Sequence, residues 1–204
     1  MKMLLLGNMP AGTAPLGECN VHTNEKRRRP GSEESSSIPA TLRWITEHGC
    51  ILAELCPYEE IFNPNDYMRK PCMWIETFMG FDLTEEISLQ HNKKKIEKRI
   101  ESEIQEGPVA AEMLWLPGME HIKGEIYSGP EVAKDFDKAE AHGVSLVGFG
   151  EEKKDGKLIR FWVIQNSHGS QWGENGFGRI DRSPSHGRLL IHKVWIVRWV
   201  KDKK

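Results

Sequence analysis

The chain of 204 residues lacks the marks of several classes of protein. Its four cysteines include no C-x-x-C pair, which argues against a zinc site, and they are too few for a disulfide scaffold. No stretch approaches the roughly 18 apolar residues of a membrane-spanning helix. The formal net charge is −2, so we expect no general attraction to nucleic acid or to a membrane. A globular chain of about one domain remains, for which we expect no metal and no other cofactor.

The N-terminus carries no convincing secretory signal. The apolar run Met3–Leu6 is shorter than the roughly 7–15 residues of a signal-peptide core, and the sequence has no Asn-x-Ser/Thr acceptor. We therefore expect an intracellular chain by default and leave its compartment open. A basic run at 25–31, which includes Arg27–Arg29, fits a solvated linker or a nucleic-acid patch. Because the run is short and single, it favours the linker, and we expect no nucleic-acid partner.

Composition divides the chain into three segments. Residues 1–37 are rich in Gly, Pro, Asn, Ser and charge without any apolar period, which predicts a poorly ordered arm. Residues 38–106 predict a partial helical lobe that ends in a connecting helix. Residues 107–204 predict an antiparallel β domain. Within the middle segment, residues 61–92 show no regular pattern and predict irregular structure.

Two helices are predicted in the middle segment. The first, at 40–49, has Ser36 or Ser37 as its candidate N-cap. The second, at 92–107, carries isoleucine every four residues on one face, which predicts a narrow buried stripe. We assign Glu97, together with Glu101, Lys98 and Arg99, to the face that we expect to lie in water.

Antiparallel strands are predicted from residue 108 onwards. They are expected at 108–116, 142–152, 157–166, 177–181 and 189–200. A K-D-G turn at 154–156 joins the second and third of them as a hairpin. With a turn near 154, position 142 falls opposite position 166. The side chains of His142 and Asn166 would then lie on one face, roughly 5 Å apart.

A histidine beside an asparagine amide suits one kind of chemistry. The amide oxygen accepts the proton of one imidazole nitrogen, which fixes the tautomer and leaves the other nitrogen as a base. A thiol beside that base ionises to a nucleophilic thiolate, as in the Cys-His-Asn variant of the catalytic triad. Taken alone, however, His142 and Asn166 fit an edge histidine and a turn-capping asparagine better than a catalytic site.

The segments around these two residues resemble the papain-like cysteine peptidase family. That family carries H-[AG]-V-x-x-V-G-[YF]-G around its histidine and N-S-W-G-x-x-W-G-x-x-G-[YF] around its asparagine. This sequence reads H-G-V-S-L-V-G-F-G at 142–150 and N-S-H-G-S-Q-W-G-E-N-G-F at 166–177. Together with weaker likenesses elsewhere, the resemblance covers roughly residues 38–182.

This resemblance implies an α+β fold, mainly the family's right-hand antiparallel β-barrel or sheet domain with a partial helical left-hand domain. It implies that His142 is the catalytic base and that Asn166 orients it. Trp172 would wall the leaving-group side of the substrate site, and Ala141 would line the main specificity pocket. The implied partners are peptides or proteins, as substrates or inhibitors, and the oligomeric state stays open.

The sequence departs from the family at the nucleophile. The family carries Q-x-x-x-x-x-C-W, which supplies the thiol and the oxyanion-hole glutamine, but no cysteine here is followed by Trp or Tyr. Cys19, the upstream candidate, lacks a glutamine six residues before it. The family also has a tryptophan at the position of His168, where it shields the His–Asn bond from water. Because an imidazole is smaller and more strongly hydrated than an indole, we expect the hydrogen bond between histidine and asparagine to be weaker in this chain.

Two functions follow from this comparison of motifs. The first is a papain-like cysteine peptidase homologue that is inactive because the nucleophilic cysteine and the oxyanion glutamine are missing. The alternative is a non-catalytic remnant of the papain fold that binds peptides or peptidase inhibitors.

Overall fold

A computed structural model describes residues 37–50, 73–84 and 93–200, with the side chain of Val200 left aside. Residues 1–36, which make up nearly all of the predicted arm, lie outside these ranges. So do Cys19, Cys56 and Cys72.

The first helix, α1 (Ile38–His48), begins and ends where its capping residues indicate. The Oγ atom of Ser37 accepts a hydrogen bond from the amide of Ala40 at 3.4 Å. At the other end, Gly49 has a φ of 74° and donates its amide to Ile45. The prediction of a Ser-capped helix here is confirmed.

The second helix, α2 (Lys93–Glu106), is also confirmed, but one of the faces expected to lie in water is partly buried. Ile100 and Ile104 are buried as predicted, whereas the expectation that Glu97 lies in water is wrong, because Glu97 is only 8% exposed. Its carboxylate lies 2.9 Å from Arg160 of the neighbouring sheet. A charge-paired glutamate can face packed structure, and helical periodicity alone does not reveal such a partner.

Seven strands form one sheet. They are β1 (Trp74–Asp82), β2 (Val109–Trp115), β3 (Ile126–Tyr127), β4 (Glu140–Lys154), β5 (Lys157–Gln165), β6 (Phe177–Asp181) and β7 (Ile191–Val200). Their order is β1-β7-β2-β4-β5-β6-β3, and all pairs are antiparallel except β3 with β6. Within the described ranges the sheet is open, with β1 and β3 at its edges, and does not close into a barrel.

Strand β1 corrects the prediction that residues 61–92 are irregular. Eight of its nine residues pair with β7, and it forms an edge of the sheet. The register shifts between Ile75 and Thr77, which interrupts the alternation of apolar and polar side chains. Without that alternation, the sequence pattern does not predict a strand here. Because β1 and β7 share a sheet, that sheet crosses the boundary expected at 106/107, and the division into domains stays a prediction.

Two clusters of buried side chains cover the faces of the sheet. The larger one contains Ala111 and Met113 of β2 together with Ile100 of α2. The smaller one packs α1 against the other face, where it contacts Ala110 and Trp195. Alternate residues of β2 therefore enter different clusters, as a strand buried on both sides requires.

The predicted K-D-G turn joins β4 and β5, but its centre lies between residues 155 and 156, about one and a half residues later than the predicted register. Asp155 and Gly156 occupy the turn with φ values of 50° and 76°, as a type I′ turn requires. Ser145 lies opposite Gln165, after a bulge between Leu146 and Gly148. Continued past Gln165, this register places residue 144 opposite 166. The prediction that position 142 lies directly opposite 166 is therefore wrong, and the two positions are diagonal neighbours.

Candidate active site

His142 and Asn166 meet despite the shifted register. The Nε2 atom of His142 lies 2.8 Å from Oδ1 of Asn166. His142 is half-buried near the start of β4, and Asn166, which follows β5 directly, is 3% exposed. A diagonal pair is within reach because an imidazole extends further than a small side chain.

The amide oxygen of Asn166 accepts three hydrogen bonds. One of them identifies this atom as the oxygen and so fixes which nitrogens of the two histidines carry protons. The backbone amide of Ser167 lies 2.8 Å from Oδ1, and Nδ1 of His168 lies 2.9 Å from it. A backbone N–H can only donate, so the atom at this place is the oxygen of the amide. Both imidazole nitrogens that face it must then carry protons. His142 is left with Nδ1 as its unprotonated nitrogen when the ring is neutral.

Four aromatic rings cluster at this hydrogen bond, and one of them is the imidazole of His142 itself. Trp115, at the end of β2, stacks on His168 with 5.1 Å between ring centroids and 13° between planes. The centroid of the same indole lies 4.6 Å from the ring centroid of His142 and 5.7 Å from that of Trp172. Motif reading did not single out Trp115; its signal was a large aromatic at the end of a buried strand.

The imidazole of His142 is a weakened base. Burial lowers the pKa of His142 below its ordinary value of 6.5, the hydrogen bond to Asn166 opposes this, and the nearby His168 lowers it further. The neutral ring, with its free Nδ1 nitrogen, is therefore the main form at neutral pH.

The loop that carries Asn166 is built around Trp172. This indole is 5% exposed and donates from Nε1 to the carbonyl of Met119 at 2.9 Å. Gly173 has a φ of 58°, and a Cβ atom there would lie 2.0 Å from the carbonyl oxygen of Phe177. A glycine is required at this point because both the conformation and the space exclude a side chain.

Ala141 lies beside His142 on the exposed surface of β4, opposite Leu114 of β2. Adjacent residues of a strand point to opposite faces, so Ala141 borders the histidine without pointing the same way. The structure thus brings His142, Asn166 and Trp172 into one cluster and places Ala141 at its margin.

No thiol lies among the side chains around His142 in the part of the chain that the structure describes. Cys50, the cysteine within that part, is buried in the smaller cluster with Leu42 and Ile45 of α1. The same described ranges contain no group of three His, Cys, Asp or Glu side chains suited to a metal ion. They also contain no helix that is long and apolar enough to span a membrane.

The fold and this hydrogen-bonded pair define a papain-like α+β chain. The solved structure of bromelain from Ananas comosus in complex with the E64 inhibitor superimposes with a TM-score of 0.56 at 17% identity, covering 78% of this chain and 67% of that one. At this identity the likeness concerns the fold alone.

The sequence comparisons identify the family. The model of the papain family cysteine proteases matches residues 14–196, so the chain belongs to the papain family. Mouse cathepsin 7 is 32% identical over 91 residues, which cover 44% of this chain and 27% of that protein. Human tubulointerstitial nephritis antigen is 34% identical over 113 residues, 53% of this chain and 23% of that protein. The chain thus spans about a quarter of the length of these two relatives.

The residues that match the family model extend further toward the N-terminus than the segment that the motifs supported. It begins at residue 14, upstream of the segment from 38 that motif reading supported, and it includes Cys19. Cys19 itself lies outside the residues that the structure describes.

Proposed function

We propose that this papain-family chain binds peptides or peptidase inhibitors and does not hydrolyse peptide bonds. The observation that carries the proposal is the hydrogen bond between His142 and Asn166, beside which no described residue offers a thiol. In this proposal His142 and Asn166 are the retained base and its orienter, Trp172 walls one side of the binding site and Ala141 lies at its margin.

Hydrolysis of a peptide bond by acyl transfer requires two groups that the recognised motifs of this sequence do not supply. Acyl transfer needs a nucleophile that attacks the carbonyl carbon and donors that stabilise the oxyanion. The sequence has no Q-x-x-x-x-x-C-W segment to supply the two groups together. Removing triad chemistry lowers kcat by several orders of magnitude, so an oriented imidazole alone supports no useful turnover.

One observation favours an active peptidase as the second candidate. The family match includes Cys19, which would have to act as the nucleophile in place of a cysteine followed by tryptophan. In that case His142 would take the thiol proton on Nδ1, and the thiolate would attack the substrate carbonyl.

Turnover of a fluorogenic dipeptide amide separates the two candidates. We expect the wild-type chain and the His142→Gln variant to release fluorophore at the same background rate. A wild-type rate well above that of His142→Gln, and abolished in Cys19→Ser, would overturn the proposal in favour of the peptidase.

Binding is tested with an immobilised cystatin-type inhibitor, a protein that occupies papain-like sites without needing the thiol to react. We expect retention of the wild-type chain and a loss of at least about tenfold in affinity for Ala141→Trp, because Ala141 is exposed next to His142 and an indole at this position would obstruct a protein that covers the margin of the site. Val132→Trp is the matched control, since Val132 is 55% exposed and outside the ring cluster. Absence of wild-type retention, or equal affinities for both variants, would contradict the binding proposal.

A further inference from the structure

The His142–Asn166 hydrogen bond is covered by a side chain from another strand. Trp115 belongs to β2, whereas His142 lies on β4 and Asn166 follows β5. Its indole approaches the ring of His142 to 4.6 Å at a tilt of 52°. It stacks almost flat on His168, with 13° between the planes.

His168 forms the other half of this cover. The rings of His168 and His142 lie 5.3 Å apart, edge to face, and both donate to the same oxygen of Asn166. His168 is itself exposed, so it shields the bond poorly alone. The stacked indole adds the apolar area that the imidazole lacks, and Asn166 beneath them is 3% exposed.

We propose that Trp115, stacked on His168, is the water shield of the His142–Asn166 pair and therefore a positioning residue of this site. It acts through the histidine and not on a ligand. By excluding water from Oδ1 of Asn166, the indole keeps the Nε2–H of His142 bonded to the amide. That bond holds the ring in the orientation that directs Nδ1 away from Asn166. The burial that lowers the pKa of His142 agrees with such a dry environment.

The proposal also accounts for the histidine in the loop. The resemblance leads one to expect a tryptophan at position 168, where it would supply the shield from the loop itself. Here the loop contributes an imidazole that adds a hydrogen bond, and the indole comes from β2. The two residues therefore act as one unit, and neither is expected to replace the other.

The test follows the Nε2 proton of His142 by proton–nitrogen NMR of the full chain, as its exchange rate with water. In Trp115→Leu we expect exchange at least about tenfold faster than in the wild type, because the bond opens to solvent more often. Trp44→Leu is the matched control: Trp44 stacks on His48 at 4.6 Å on the exposed side of α1. We expect its exchange rate for His142 to equal that of the wild type. Equal rates in Trp115→Leu and the wild type would overturn the proposal.

A milder pair of variants keeps the test decisive if the leucine variant does not fold. Trp115→Phe retains a ring and should exchange at a rate between those of the wild type and His168→Ala. His168→Ala, at an exposed position, removes the stacking partner and should accelerate exchange severalfold. Slow exchange in His168→Ala together with unchanged exchange in Trp115→Phe would contradict the shared cover.

The inference rests on the proposed function only where it calls the pair part of a binding site. Proton exchange is measured in the free chain and requires neither turnover nor a ligand. A failure of the exchange test therefore leaves the binding proposal standing. A failure of inhibitor binding likewise leaves the shield intact.

Discussion

Replacing Asn166 by alanine removes the group on which three donors end. The backbone amide of Ser167 and the ring of His168 lie near the surface and recover hydrogen bonds to water. The Nε2–H of His142 lies under Trp115 and does not recover one so easily. An unsatisfied buried donor costs about 1–3 kcal/mol, and the remaining lost bonds add about 1 kcal/mol. We therefore expect Asn166→Ala to lower the free energy of unfolding by about 2–4 kcal/mol.

Urea unfolding followed by circular dichroism measures this loss, and thermal unfolding provides a second reading. For a chain of this size, 1 kcal/mol corresponds to about 2–4 °C in Tm, so the melting temperature should fall by about 4–16 °C. Gln171→Ala, at an exposed position of the same loop, is the control and should stay within about 0.5 kcal/mol of the wild type. If Asn166→Ala also stayed within 0.5 kcal/mol, the reasoning about the buried donor would be refuted.

Three further predictions concern backbone strain and pH. Gly173→Ala should destabilise the chain by more than about 2 kcal/mol in urea, since its Cβ atom would collide with the carbonyl of Phe177, while Gly156→Ala, with a similar φ but open space, should lose only about 1 kcal/mol. A hydrogen bond from an arginine of β7 lowers the pKa of Glu103, so the contribution of Glu103 to the free energy of unfolding is complete above the unfolded pKa of about 4.3 and is lost as the pH falls through the folded pKa. Glu103→Gln should therefore flatten the acid side of the plot of stability against pH, and an unchanged slope would contradict this. Burial lowers the pKa of His142, so the unfolded chain binds a proton at this residue before the folded chain does as the pH falls below about 6.5. The free energy of unfolding should then decrease until the pH passes the folded pKa of His142. His142→Gln should remove that decrease, and its persistence would show that another group causes it.

Local signals in the sequence predicted the elements that depend on local interactions. The Ser37 cap and the isoleucine stripe of α2 are interactions between residues three or four positions apart, and both appear in the structure. The meeting of His142 with Asn166 was also predicted, although the register used for it was wrong. The contact survived because the bulge and the later turn moved the two residues to a diagonal, which a long side chain can still bridge.

Interactions between distant segments were missed. The burial of Glu97 depends on Arg160, which is far away in the sequence, so helical periodicity assigned it to water. Strand β1 has its apolar pattern broken by a bulge and is stabilised by pairing with β7 at the other end of the chain. The ring contacts of Trp115 also involve side chains from β4 and from the loop after β5, and no sequence motif joins these three segments.

The central claim is a papain-family chain with an oriented histidine and no working thiol. Intact-mass measurement after treatment with a thiol-directed epoxide of the E-64 type, at a concentration that labels papain completely, tests it most directly. The expected result is a native chain that the epoxide leaves unmodified, while a general alkylating reagent added after unfolding modifies its cysteines and so shows that they were available as thiols. A single stoichiometric epoxide adduct on Cys19 of the native chain, absent from His142→Gln, would contradict the claim and identify an active peptidase.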